Sequence, residues 1–273
     1  MLKISTKGPV TIIRTGRSVG PWVPYTVCSF ILGDLLIDTG APCARDEFLS
    51  ALDGRNVKTV LLTHRHEDHI GNNAAVMKRT GAESYAHPLA LPYLENPRKL
   101  RLRPYQLFVW GTPPASRALP MGEEIRAGDF RLRVIHTGGH CPDHLCFYEP
   151  KRRWLFTGDL FCGPRLKYFR LDEDYSATVE ALRRLAGLEV DILFCSLLGA
   201  VEDGRAALAG KREFMENLRD RVLALNAKGM SEARISRALL GREGFMRATT
   251  LGHYAKKNAV RSILTGGPCI TPP

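Results

Sequence analysis

No apolar run in this 273-residue chain approaches the roughly 20 residues that a membrane-spanning helix needs, so no transmembrane segment is expected. The first residues also lack the sequence of charged segment, hydrophobic core and small-residue cleavage site that marks a secretory signal, and a cytoplasmic setting is the expectation. Cysteine is sparse. Its seven residues, at 28, 43, 141, 146, 162, 195 and 269, form no Cys-x-x-Cys pair. An odd and scattered set argues against a disulfide framework and against a zinc knuckle built on thiolates. Acidic residues are the minority too, 28 against 39 Lys and Arg, which gives a net charge of +11. Most of the excess lies at 205–265, with 13 basic residues against 5 acidic ones. Such a surface admits an anionic partner, but with no RNA- or DNA-binding motif a solvated helix face is the simpler reading.

Short apolar runs separated by turn signals dominate the first part. Residues 10–13, 26–32 and 35–37 read as strands, the last two joined as a hairpin through Gly33-Asp34. Residues 45–53 are predicted helical, and 57–62 is a nearly continuous apolar run suited to a strand buried on both faces. A helix from 72, ended by Gly81, and a strand at 83–86 follow. Residues 88–124, with seven prolines and the basic knot at 98–103, read as a long surface excursion of the lid or binding-loop kind. Strands resume at 130–135, 146–148 and 154–156, then a helix at about 175–186 and a buried strand at 191–195. Beyond Gly204, Leu208, Met215, Leu218, Val222 and Leu225 recur at steps of seven, three, four and three, a helical stripe facing a core. Gly229 ends it, Ser231 can cap a second helix, and Thr250 precedes a third. The division expected is a main body over 1–204 and a basic helical module over 205–273.

The chemistry is concentrated in His64-Arg65-His66-Glu67-Asp68-His69, where three imidazoles and the Asp68 carboxylate put four metal-ligand side chains into six residues at the end of an apolar strand. In an extended segment His64 and His66 emerge on one side while Arg65 and Glu67 point away, and Asp68 and His69 follow as the chain turns toward its helix. Two adjacent cations can be served by such a loop. A third histidine is available at His136, His140 or His144; the glycines before His140 let the backbone turn it inward, whereas His136 ends a strand. His144 could ligate, brace a ligand or touch substrate. Asp159 ends a strand at Gly158 and can bridge two cations, or can simply cap the next turn.

Taken together, His64-x-His66-x-Asp68-His69, Leu36-Ile37-Asp38-Thr39-Gly40, Thr137-Gly138-Gly139-His140 and Phe156-Thr157-Gly158-Asp159 resemble four motifs of the metallo-β-lactamase superfamily, in order. The resemblance implies an α/β fold, a four-layer αβ/βα sandwich with a small C-terminal helical module. It assigns His64, His66 and His140 to a first metal, Asp68 and His69 to a second, Asp159 to the bridge, and Asp38 to support of the loop. The family's usual last histidine is absent. Residues 195–204 read Cys-Ser-Leu-Leu-Gly-Ala-Val-Glu-Asp-Gly, with Leu197 and Leu198 where it would fall. One tight zinc beside a doubtful second ion is therefore expected, with iron or manganese as other metals. Cys195 is a soft substitute ligand in principle but reads as a packed residue. The 250–262 stretch is similar to the helical tail of a subgroup containing lactamase-like hydrolases and an endoribonuclease, with His253 read as a packing or surface residue.

A cation on three neutral imidazoles acidifies its water to a pKa of about 7, so a metal-bound hydroxide attacking a small ester, thioester or lactone is the leading functional expectation, with Asp68 orienting it. The resemblance to hydroxyacylglutathione hydrolases favours a small acyl ester or thioester, and the basic loop at 98–103 and basic tail favour an anionic one, with Arg101 and Arg103 as candidate contacts. RNA cleavage is the hydrolytic rival. Two readings come from other classes: an iron persulfide-type dioxygenase using His64, His140 and Asp159, and a binding protein without catalysis.

Overall fold

A computed structural model of the chain describes residues 1–270; the last three residues of the expected C-terminal module lie outside the described residues. Seven strands form the first sheet in sequence order: β1 (Leu2–Lys7), β2 (Val10–Thr15), β3 (Val27–Leu32), β4 (Leu35–Ile37), β5 (Thr59–Leu61), β6 (Glu83–Ala86) and β7 (Leu119–Pro120). β1 to β4 pair antiparallel and β4 to β7 parallel. Its connections carry helices α1 (Arg45–Ser50), α2 (Asn73–Thr80), α3 (Leu91–Glu95) and α4 (Pro104–Val109). The second sheet contains β8 (Glu124–Ala127), β9 (Phe130–His136), β10 (Leu145–Glu149), β11 (Trp154–Phe156) and, beyond a short strand β12 (Phe169–Arg170), β13 (Ile192–Cys195) and β14 (Gly199–Glu202). Its order is β14-β13-β11-β10-β9-β8, and only β11 and β13 run parallel.

Side-chain alternation along the strands makes the layers. Ile12, Phe30, Ile37 and Leu61 point between the sheets to meet Phe147, Phe156 and Phe194, while their neighbours Ile13, Ile31, Leu36 and Val60 face outward against Phe48, Leu52 and Val76 of the first helical layer. On the second sheet, Cys146, Tyr148, Leu155, Leu193 and Cys195 face α5 (Tyr175–Ala186), α6 (Gly204–Ala227), α7 (Glu232–Leu240) and, after the short α8 (Phe245–Thr249), α9 (Lys256–Thr265). The result is the expected four-layer αβ/βα sandwich. The helices after 204 do not keep a core of their own. Leu208, Met215, Val222, Ile235 and Val260 belong to the same buried cluster as β10, β11, β13 and α5.

Four strands of the two sheets escaped the sequence reading, among them β7, which lies inside the 88–124 excursion. β1 carries Leu2 and Ile4 among Lys, Ser and Thr on an exposed edge, β8 precedes the predicted 130–135 strand, and β14 starts at a glycine. A two-stranded ribbon was also missed: β12 pairs with β15 (Tyr254–Ala255), which brings the C-terminal segment back against the main body. Residues 88–124 are anchored rather than free. Leu94, Leu100 and Gln106 are buried, and Tyr105 Oη lies 2.6 Å from His253 Nδ1. No helix of the described residues is long and apolar enough to cross a membrane.

Candidate metal centre

The motif residues all leave strands at one edge of the two sheets. Asp38 follows β4, the 63–69 loop follows β5, residues 137–144 link β9 to β10, Asp159 follows β11 and Ser196 follows β13. Backbone bonds stitch this edge: Asp38 N–H to Leu61 O at 2.9 Å within the first sheet, Thr157 N–H to Phe194 O at 2.8 Å within the second, and Leu145 N–H to Thr63 O at 2.8 Å from one sheet to the other. A buried ion pair, Arg65 Nη1 to Asp143 Oδ1 at 3.3 Å, ties the two histidine loops together, and Asp143 Oδ2 also accepts from Arg65 N–H at 2.7 Å. Glu67 turns away as its alternation predicts and accepts from Gln106 Nε2 at 2.9 Å. The 88–124 excursion thus braces the ligand loop.

One atom each from His64, His66, His140 and Asp159 lies within 4.8 Å of the others. His66 Nδ1 is 2.8 Å from His64 Nε2 and 3.0 Å from His140 Nε2. Three ring nitrogens crowded in this way repel unless a cation or a shared proton sits among them. The remote sides of two rings fix which nitrogen faces inward. Thr63 Oγ1 donates to Asp38 Oδ2 at 2.8 Å, so it accepts from His64 Nδ1–H at 2.9 Å and leaves the lone pair on Nε2. His140 Nδ1 lies 2.5 Å from Glu173 Oε1, with the same consequence for its Nε2. Burial and the neighbouring imidazoles hold His64 well below the ordinary histidine range, so it stays neutral; burial and Arg170 do the same for His66. His140 is raised, because Glu173 and Asp159 outweigh its burial.

A second group of donors adjoins the first. His69 Nδ1 bonds Asp38 Oδ2 at 2.7 Å, and its Nε2 is buried with no hydrogen-bond partner among the described residues, 3.4 Å from Asp159 Oδ1 and 3.8 Å from Asp68 Oδ2. Burial opposes a charge on His69, but Asp38, Asp159 and Asp68 override it and raise the group well above its usual value. A proton there does what a cation among the same carboxylates would do. Asp159 is held well below the carboxylate range against its burial, chiefly by His69 and His140. Asp68 moves the other way, up to about 7, by burial with Glu67 and Asp159 nearby and against the pull of His69.

Asp38 is the hub of this arrangement: 1% exposed, in the left-handed region at φ 60°, it accepts from Thr63 N–H, Thr63 Oγ1 and His69 Nδ1. His144 is fully committed elsewhere. Its Nε2 accepts from Asp159 N–H at 3.2 Å and its Nδ1 lies 2.7 Å from Thr137 Oγ1, so it positions Asp159. Two glycines are required here by geometry. A Cβ on Gly139 would meet the Thr178 backbone at 2.6 Å, and one on Gly158, at φ +48°, would meet His144 Nε2 at 2.8 Å. His136 is exposed and stacks on His87 at 4.5 Å; His253 is buried 3.3 Å from Asp172. Cys195 is buried, its sulfur accepting from Leu198 N–H at 3.4 Å. At the expected place of a last histidine, Leu197 lines the cavity and Leu198 is exposed, while Ser196 Oγ donates to Asp159 Oδ1.

His140, Asp68 and Asp159 open into a cavity of about 550 Å³, walled also by Tyr25, Leu197, Lys211 and Tyr254. Arg101 and Arg103 do not reach it. They border a smaller cavity of about 250 Å³ on the other side of the ligand loop, shared with Arg65 and His66, and the cations at the large cavity are Arg165, Lys167 and Lys211. Glu173, Thr63 and Ser196 carried no sequence signal, because bracing residues are set by proximity alone.

A family model described as the metallo-beta-lactamase superfamily matches residues 25–196, more than half of the chain. The chain belongs to this superfamily. Among relatives, a protein of Haemophilus influenzae named hydroxyacylglutathione hydrolase GloC is 30% identical over 179 residues, covering 61% of this chain and 82% of its own. A Bacillus subtilis protein named probable metallo-hydrolase YybB is 34% identical over 127 residues, 46% of this chain and 56% of that one. The chain thus spans little more than half the length of this relative, and 58% of another from Aquifex aeolicus. A metallo-beta-lactamase family protein of Thermus thermophilus superposes with a TM-score of 0.67 at 22% identity, over 95% of this chain and 94% of that one. This superfamily member therefore shares its sandwich, C-terminal helices included, with a solved structure.

Proposed function

We propose that the chain is a metal-dependent hydrolase of small esters or thioesters, with zinc as its metal. The observation that carries this is the convergence of His64 Nε2, His66 Nδ1, His140 Nε2 and an Asp159 oxygen beside a cavity, the opposite nitrogens of His64 and His140 being tied back. Neutral imidazoles and a carboxylate at this spacing fit a divalent cation, and the unpartnered His69 Nε2 between Asp68 and Asp159 fits a second. Held there, a cation supplies a Lewis acid and brings the pKa of a coordinated water to about 7. Asp68, on the cavity wall beside His69 and Asp159, would orient the attacking water. Names of relatives add support: one is a hydroxyacylglutathione hydrolase and one a thioesterase.

In this reading His64, His66 and His140 hold the first metal, Asp68 and His69 the second, and Asp159 bridges. The second set lacks a further histidine, since His87, His136 and His253 lie elsewhere. Element-specific metal counting is expected to give between one and two ions per chain, the second removed first under mild chelation. Two ions lost together would contradict the weaker second set. Hydrolysis of S-lactoylglutathione and of simple aryl esters by the zinc-loaded chain tests the activity; iron retention with oxygen uptake on a persulfide would replace this reading.

A further inference from the structure

The core-facing stripe of α6 contains Leu208, Met215, Leu218 and Val222, and the gap of seven between the first two is filled by Lys211. This lysine lies where the helical period calls for an apolar side chain and is only 5% exposed. Among the described residues it has neither a hydrogen bond nor an ion pair within 4 Å. The acids whose charge reaches it are Cys162 and Glu173. Neither is a counter-ion. Burial holds the Cys162 thiol protonated, with its Sγ donating to Asp159 O, and both Glu173 oxygens are taken, by His140 Nδ1 and Arg170 N–H. Burying an ammonium without a partner is costly, and here the space it faces is the cavity shared with His140 and Asp159.

We propose that Lys211 is an anion subsite inside this cavity, taking a carboxylate that the substrate carries away from the bond to be cut. A single buried ammonium balances a single charge. Of the small hydroxyls at the cavity, Thr178 Oγ1 is spent on Asp174 O and Ser196 Oγ on Asp159 Oδ1, and the other two cations, Arg165 and Lys167, are exposed at the rim. A doubly charged phosphate at that depth would keep one charge unbalanced, whereas a carboxylate leaves none. The word substrate rests on the hydrolase reading; the subsite does not.

Calorimetry on the zinc-loaded full chain, titrated with α,ω-dicarboxylates of about three to eight carbons and the matching monocarboxylates, tests this directly. One chain length is expected to bind at least about tenfold tighter as the dicarboxylate, one end at the cation and the other at Lys211. Lys211→Met and Lys211→Gln should abolish that preference, and Lys211→Arg should keep it, with melting temperatures reporting that each variant is folded. A preference absent at every length, or one that survives in folded Lys211→Met, would overturn the subsite. Failure to turn over any ester or thioester, with the dicarboxylate preference intact, would overturn the hydrolase reading and leave the subsite standing.

Discussion

His64→Ala is expected to lose nearly all bound zinc and to reduce kcat/KM on a thioester by about 10⁴-fold, equivalent to ~5.4 kcal/mol of transition-state stabilisation. His64 is 1% exposed, and its inward nitrogen is oriented by a Thr63 hydroxyl that is itself oriented by Asp38, so no neighbour can swing in to replace it. Zinc content by emission spectroscopy and kinetics on the same preparation give the two readouts. Full activity in a zinc-free His64→Ala protein would sink the metal-hydrolase reading.

Asp38→Ala should damage both stability and metal binding. Removing its carboxylate strands three buried donors, Thr63 N–H, Thr63 Oγ1 and His69 Nδ1. Leaving buried donors unpaired costs about 1–3 kcal/mol each, with partial relief from relaxation, so ~3 kcal/mol is expected overall. For a chain of this size that is a fall of about 6–12 °C in Tm. Loss of a bracing group of this kind also weakens metal affinity by about 10- to 100-fold. Asp38→Asn, which tolerates the left-handed backbone and keeps one acceptor, should fall between the two. Equal melting temperatures for wild type and Asp38→Ala would remove Asp38 from its place as hub.

The motifs were legible because ligand chemistry needs particular residue types at strand ends, and the strands feeding them alternate or run apolar. Gly81 ended its helix as read, and residues 83–86 and 154–156 formed the strands predicted. What stayed hidden was of two physical kinds. β1 has its register set by pairing with β2 and not by burial, so no hydrophobic period betrays it. Glu173 lies 33 positions from the imidazole it braces, and the middle one of three acids before a helix says nothing of what it will touch. Lys211 was concealed differently: a stripe read only from its apolar members skipped the polar one.

The return of the chain through β15 has a consequence for the order in which the protein can be made. Every proposed cation ligand has been synthesised by Asp159, and the brace for His140 by Glu173. The cavity wall, however, still awaits Lys211, Met215 and Tyr254. Until α6, α7 and α9 emerge, the outer face of the second sheet, with Leu155, Leu193 and Cys195, has only α5 to cover it. A ribosome-bound chain thus carries every proposed cation ligand for tens of residues before it owns a substrate cavity, with part of an apolar sheet face uncovered over the same interval.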